Sequence, residues 1–221
     1  PFIAIPIFPS RFFRHSCIYV SAKSGIKTPK DLIGKRIGGT NFQPAGNVWI
    51  RGILDEDYGV PHDSIHWFTE RGEDIDFEPH EGLRITRIRD DQTLDQMLFD
   101  GEIDARMEPE FPDPFLAGDP RCVRLFENCQ QVETDYFRST GIFPIMHTVV
   151  IRKDVYEKHP FLATSLYKAL CAAKDHALAK MRYVGALRYM LPWMTDDMDE
   201  MDQVFGPDPW PYGIKPNRPT L

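Results

Sequence analysis

Hydrophobic positions along this chain follow two rhythms, and the change between them falls near residue 154. Before it, short runs rich in β-branched and aromatic residues alternate with stretches at helical spacing. Residues 16–21 (SCIYVS) predict a strand, and residues 34–39 (GKRIGG) predict another that ends in glycines. Between them, Thr28, Pro29 and Asp31 have the order of a helix start: a capping hydroxyl, a proline at the first helical position and an acid near the positive end of the dipole. Residues 45–58 place Val48, Ile50, Ile53 and Leu54 at mainly helical spacing, with Gly59 and Pro61 to close the helix. Residues 64–68 and 83–88 predict strands, and the acidic residues 70–81 between them a solvated loop. A short helix over 93–99 and a strand over 101–105 follow, ended by a loop with Pro109, Pro112 and Pro114. Residues 147–151 predict one more strand. From there helical spacing prevails: Leu162, Leu166, Leu170, Ala173, Ala177 and Met181 mark a long amphipathic helix over 160–183, with further helices over 184–191 and 196–205. Strands alternating with helices predict an α/β fold with a mostly parallel sheet.

The chain has 221 residues, 42% of them hydrophobic and 27% charged, enough for a substantial core in one or two α/β domains. Its net charge of -7 argues against phosphate backbones and anionic lipid as partners, so no nucleic acid or membrane is expected, and an anion must be caught locally. No apolar run approaches the roughly 18 residues that span a bilayer. Cys17, Cys122, Cys129 and Cys171 form no CxxC pair and read as structural thiols. The seven histidines are dispersed, without HxH or HExxH, and neither a Walker loop nor a dinucleotide glycine fingerprint is present. Neither metal nor cofactor is expected. The start at Pro1 and the cap-like Asn217, Arg218, Pro219 and Thr220 beside the end suggest a chain that continues in both directions.

The segment 25–39, containing TPKDLIGKRIG, resembles the entry to the second lobe of type II periplasmic-binding-protein folds, among them sulfonate, nitrate and thiamine-precursor binders. Several longer stretches resemble the 4,5-dihydroxyphthalate decarboxylases: residues 8–16 (FPSRFFRHS), 48–54 (VWIRGIL), 58–60 (YGV), 140–148 (TGIFPIMHT) and 210–213 (WPYG), with Asn217 and Arg218. The segments 40–46 and 106–110 differ from the family's form. The resemblance implies two α/β lobes with a cleft between them, the first lobe incomplete here. Residues 1–20 would belong to the first lobe and the crossover, 21–143 to the second lobe, and 144–221 to the return with its helix-rich end. It further implies non-oxidative decarboxylation of 4,5-dihydroxyphthalate to protocatechuate, without a cofactor, in the cytoplasm, with a homo-oligomer expected by analogy. The alternative is a solute-binding protein for a small aromatic carboxylate or sulfonate, which would be periplasmic.

An aromatic dicarboxylate calls for cations, and arginine suits it because its planar fork can make two parallel hydrogen bonds. Arg11 and Arg14, with Ser10 and His15 immediately before a strand, are the leading candidates, and surface ion pairs are their bland role. Thr40 and Asn41 stand between a strand and a helix, where free N–H groups favour an anion, though both residues serve equally as caps. Arg51 in the following helix, Glu108 after the strand at 104–105, and Thr140 in the family-like stretch join them as substrate-binding candidates. Loss of CO₂ requires a proton at the ring carbon, and histidine titrates near neutrality, so His15 and His147 are the catalytic candidates.

Overall fold

The computed structural model describes residues 1–221, and the chain divides into two compact units. One comprises residues 1–12 and 134–221; the other comprises residues 13–133. Both boundaries fall earlier in the chain than the expected 20/21 and 143/144. Pairing gives the reason for the first: Tyr19 pairs with both Arg106 and Arg124, which draws the residues leading into that strand into the 13–133 unit.

The 13–133 unit is built on a six-stranded mixed sheet. Its strands are β2 (Ile18–Ser21), β3 (Arg36–Gly39), β4 (His66–Thr69), β5 (Arg84–Arg87), β6 (Ala105–Met107) and β7 (Cys122–Arg124), in the spatial order β5-β4-β3-β6-β2-β7. The first four in that order run parallel, and β2 lies antiparallel between β6 and β7. Helix α1 (Ala45–Tyr58) has the expected bounds, because Gly59 takes the left-handed conformation at φ 64° and its N–H caps the helix. Helix α2 (Leu94–Asp100) is capped by Thr93, whose side chain accepts from the Gln96 N–H. A short α3 (Asp113–Leu116) follows Pro112. Asp31 folds back on Thr28, its Oδ2 accepting from the Thr28 N–H at 2.8 Å, but Pro29–Leu32 makes only a 3-10 turn. Ile18, Ile37, Ile50, Leu54, Ile65, Trp67 and Met107 form the core on one side of the sheet, and Tyr19, Leu94, Leu98 and Ile103 on the other. Gly38 has no room for a side chain: a Cβ there would lie 2.7 Å from Leu94 and 2.8 Å from Ile103.

The other unit pairs β1 (Phe2–Arg11) with β8 (Ile145–Arg152) in an antiparallel ribbon whose register slips between Ile5 and Ser10, where Pro6 and Pro9 interrupt the ladder. Sequence periodicity does not show β1, which is made by pairing with a segment more than a hundred residues away. Arg11 therefore ends a strand instead of preceding one. Helix α4 (Cys129–Thr140) crosses the unit boundary, α5 (Lys153–Lys158) follows β8 directly, and α6 (Phe161–Met181) and α7 (Met194–Phe205) complete the helical end. No helix forms over 184–191, where turns and bends run instead. Gly185 and Pro192 bracket those eight residues, Val184, Leu187 and Leu191 are exposed, and so short a helix needs packing to persist.

Candidate functional site

The strand directions decide where polar loops gather. Gly39 of β3 pairs with Thr69 of β4, Thr69 with Arg87 of β5, and Gly38 with Arg106 of β6, so these four strands end along one edge of the sheet. Ile18 pairs with Met107, which brings the start of β2 to the same edge. In open α/β sheets, ligands bind outside the carboxyl ends of the strands. Residues 14–17, 40–41, 70–71 and 108–110 all lie there.

A cavity of about 220 Å³ opens at this edge, lined by Thr40, Asn41, Asn47, Arg71, Glu108 and Glu110, with Pro44 and Pro109. It unites three residues expected from sequence, Thr40, Asn41 and Glu108. Glu108 is buried, 4% exposed, and its Oε1 accepts from the backbone N–H of Thr40 and, at 2.5 Å, from the Thr40 hydroxyl. Burial pushes its carboxyl above the usual glutamate value, against these bonds and the Arg106 guanidinium 3.8 Å away. Arg106 is itself held by an ion pair with Asp95. Arg71 follows β4 on the same wall, and its guanidinium has no carboxylate partner. Asn47, in the first turn of α1, is 4% exposed; its Nδ2 donates to the Asn41 carbonyl at 2.8 Å, while its Oδ1 has no donor. The first three N–H groups of a helix have no acceptor within it, so α1 adds positive potential here.

Arg14 and His15 lie in the same unit. Arg14 is buried behind α1, where a Cβ on Gly46 would come within 3.2 Å of its guanidinium carbon, and its Nη1 donates to Cys17 Sγ at 3.6 Å. His15 is 1% exposed, edge-on to Tyr58 and Phe126, and desolvation lowers its pKa to about 4. It is neutral at pH 7. Arg51 is elsewhere: it stacks on Phe42 with its guanidinium carbon 3.7 Å from the ring centroid, donates to the Phe42 carbonyl at 2.6 Å, and lines a separate cavity with His62 and His80.

Four expected site residues belong to the other unit. Arg11 is buried and donates to the carbonyls of Phe143 at 3.4 Å and Pro211 at 2.9 Å and to Asn217 Oδ1, a tie that fastens the C-terminal segment; burial lowers its pKa to about 10. Thr140 ends α4, its hydroxyl donating to the Tyr136 carbonyl at 2.7 Å. Ser10 pairs with His147, which is exposed on β8. No group of three or more His, Cys, Asp or Glu side chains is arranged to hold a metal ion.

Over 223 aligned residues, 98% of its length and 68% of the relative's, this chain is 39% identical to the 4,5-dihydroxyphthalate decarboxylase of Comamonas testosteroni. The chain belongs to the 4,5-dihydroxyphthalate decarboxylase family. The family's Pseudomonas putida protein is 37% identical over 145 residues, 63% of this chain and 56% of that one. Residues 13–70 also match the NMT1/THI5-like family. Among solved structures, the chain is similar to the periplasmic aliphatic sulphonate binding protein SsuA of Escherichia coli, at 14% identity and a TM-score of 0.44. That match covers 82% of this chain and about half, 51%, of SsuA.

Arg71 and Asn47 are the site residues that sequence reading misses. Arg71 stands in the acidic stretch taken for a solvated loop, and only its place just past a parallel strand marks it. Asn47 sits on a helix face otherwise read for apolar spacing.

Proposed function

We propose that this protein is a non-oxidative decarboxylase of an aromatic dicarboxylate, converting 4,5-dihydroxyphthalate to protocatechuate and CO₂. The observation that carries this reading is a cavity, in a chain of this family, that sets a buried carboxyl group beside an unpaired arginine. Arg71 and the N–H groups at the start of α1 hold the ligand's carboxylates. Glu108 carries the proton. Burial favours its neutral acid more than for an ordinary glutamate, and the proton passes to the ring carbon that bears the departing carboxylate. The hydroxyl para to that carbon keeps its proton and supplies electron density through the ring, and Glu108 regains its proton from water after the reaction. The carbon–carboxylate bond then breaks, CO₂ leaves, and the bonding pair returns to the ring. Histidine fits the transfer less well in this reading, since His15 is held neutral among aromatic rings.

A cytoplasmic location belongs to the same proposal, and the four free cysteines suit a reducing compartment. No helix is long and apolar enough to cross a membrane. The test is to incubate the purified protein with 4,5-dihydroxyphthalate and quantify CO₂ and protocatechuate. Equimolar formation of both is expected. Tight binding with no gas evolved would overturn catalysis in favour of a solute-binding protein, and absence of binding would remove both readings.

A further inference from the structure

The Asn47 side chain is built into the cavity wall in a way that helix capping does not explain. Its Nδ2 lies 2.8 Å from the Asn41 carbonyl, and since a carbonyl only accepts, that end of the amide must be the nitrogen. The other end, Oδ1, is therefore an acceptor, and it is buried without a donor. Gly39 holds the amide from behind: a Cβ there would approach Nδ2 to 3.3 Å and the Met107 carbonyl to 3.1 Å. A buried acceptor left unpaired is costly, and a ligand that supplies the missing donor recovers that cost.

Resting on the decarboxylase reading, we propose that Asn47 is the specificity residue of this cavity, its Oδ1 accepting a hydrogen bond from a ring hydroxyl of the aromatic ligand. A carboxylate cannot play this part, because an ionised carboxylate has no proton to donate. The Arg71 guanidinium and the N–H groups of the cavity recognise negative oxygens on any phthalate. Asn47 sets a buried acceptor without a donor in this wall, which asks for a hydroxyl and so separates a hydroxylated ring from a bare one. The glutamate beside it accepts through Oε1 from Thr40, which leaves that oxygen committed within the protein.

The test compares dissociation constants of 4,5-dihydroxyphthalate, 4,5-dimethoxyphthalate and phthalate by calorimetry in the Glu108→Gln background, where turnover is suppressed, with Asn47 present and with Asn47→Ala added. With Asn47 present the dihydroxy ligand should bind about ten- to a hundredfold more tightly than the other two, as a hydrogen bond from a required hydroxyl provides. In Asn47→Ala that ratio should fall to within about threefold, whatever happens to affinity overall. A structural role for Asn47 would weaken all three ligands together and keep the ratio, which overturns the proposal. Gly39→Ala, which displaces the amide without removing it, should also compress the ratio and serves if Asn47→Ala fails to fold. Equal affinity for all three ligands with Asn47 present overturns this inference and leaves the decarboxylase reading standing. No affinity for any of them is the failure of the decarboxylase reading instead.

Discussion

Glu108 and His15 are both buried, and burial moves their titrations in opposite directions because it penalises whichever form is charged. For Glu108 the raised folded value means that the unfolded chain releases its proton first. The wild type therefore loses stability as pH climbs from the ordinary 4.5 through the raised value. Glu108→Gln keeps an acceptor for Thr40 and does not titrate. Its melting temperature should gain on the wild type as pH rises above that range, while turnover falls by about a hundredfold or more. For His15, stability is complete above 6.5 and lost as pH falls toward about 4, a cost of up to about 3 kcal/mol. His15→Gln should flatten the melting curve between those pH values and retain turnover within about tenfold. A loss as large as that of Glu108→Gln would return histidine to the proton transfer. Arg71→Ala should weaken ligand binding about ten- to a hundredfold, the worth of a charge-assisted bond, with little change in melting temperature, as the side chain is exposed and has no carboxylate partner.

Two glycines of α1 differ in what surrounds them, which turns one helix into its own control. A Cβ on Gly46 would lie 2.9 Å from Pro109 and 3.2 Å from the Arg14 guanidinium carbon, whereas a Cβ on Gly52 meets nothing within 4 Å. Gly52→Ala should raise stability by about 0.5–1 kcal/mol, the usual gain of alanine over glycine inside a helix. Gly46→Ala should push the helix start away from Pro109 and weaken ligand affinity, and calorimetry on the two variants separates these effects. Element ends were legible in sequence wherever a local signal sets them. Gly59 ends α1, as its backbone freedom dictates. Where the signal was only apolar content, as over 184–191, no helix survived, because no packing rewards it.

At the scale of the molecule, ligand binding should register as stability. A ligand at a hundredfold excess over its dissociation constant adds about 2.7 kcal/mol, which in a domain of this size raises the melting temperature by roughly 5–10 °C. Differential scanning calorimetry of Glu108→Gln, in which turnover is suppressed, with 4,5-dihydroxyphthalate should show this rise, and Glu108→Gln/Arg71→Ala should show less of it at the same ligand concentration. The units themselves were only partly legible. The return to helix-rich sequence after β8 was plain, but β1 was not, since Pro6 and Pro9 mask a strand that exists only by pairing with β8.

Local chemistry along the chain was enough to specify the α/β class, the bounds of α1, a short helix over 93–99 and the post-strand positions of Thr40, Asn41 and Glu108. Caps, turns and apolar spacing act between residues a few positions apart, and they read the same in any fold. Tertiary structure alone decided which loops share an edge. Parallel register brought Arg71 and Asn47 to Glu108, burial raised the carboxyl and neutralised His15, and carbonyls far along the chain claimed Arg11. Register and desolvation are properties of segments that meet in space, so no local pattern encodes them.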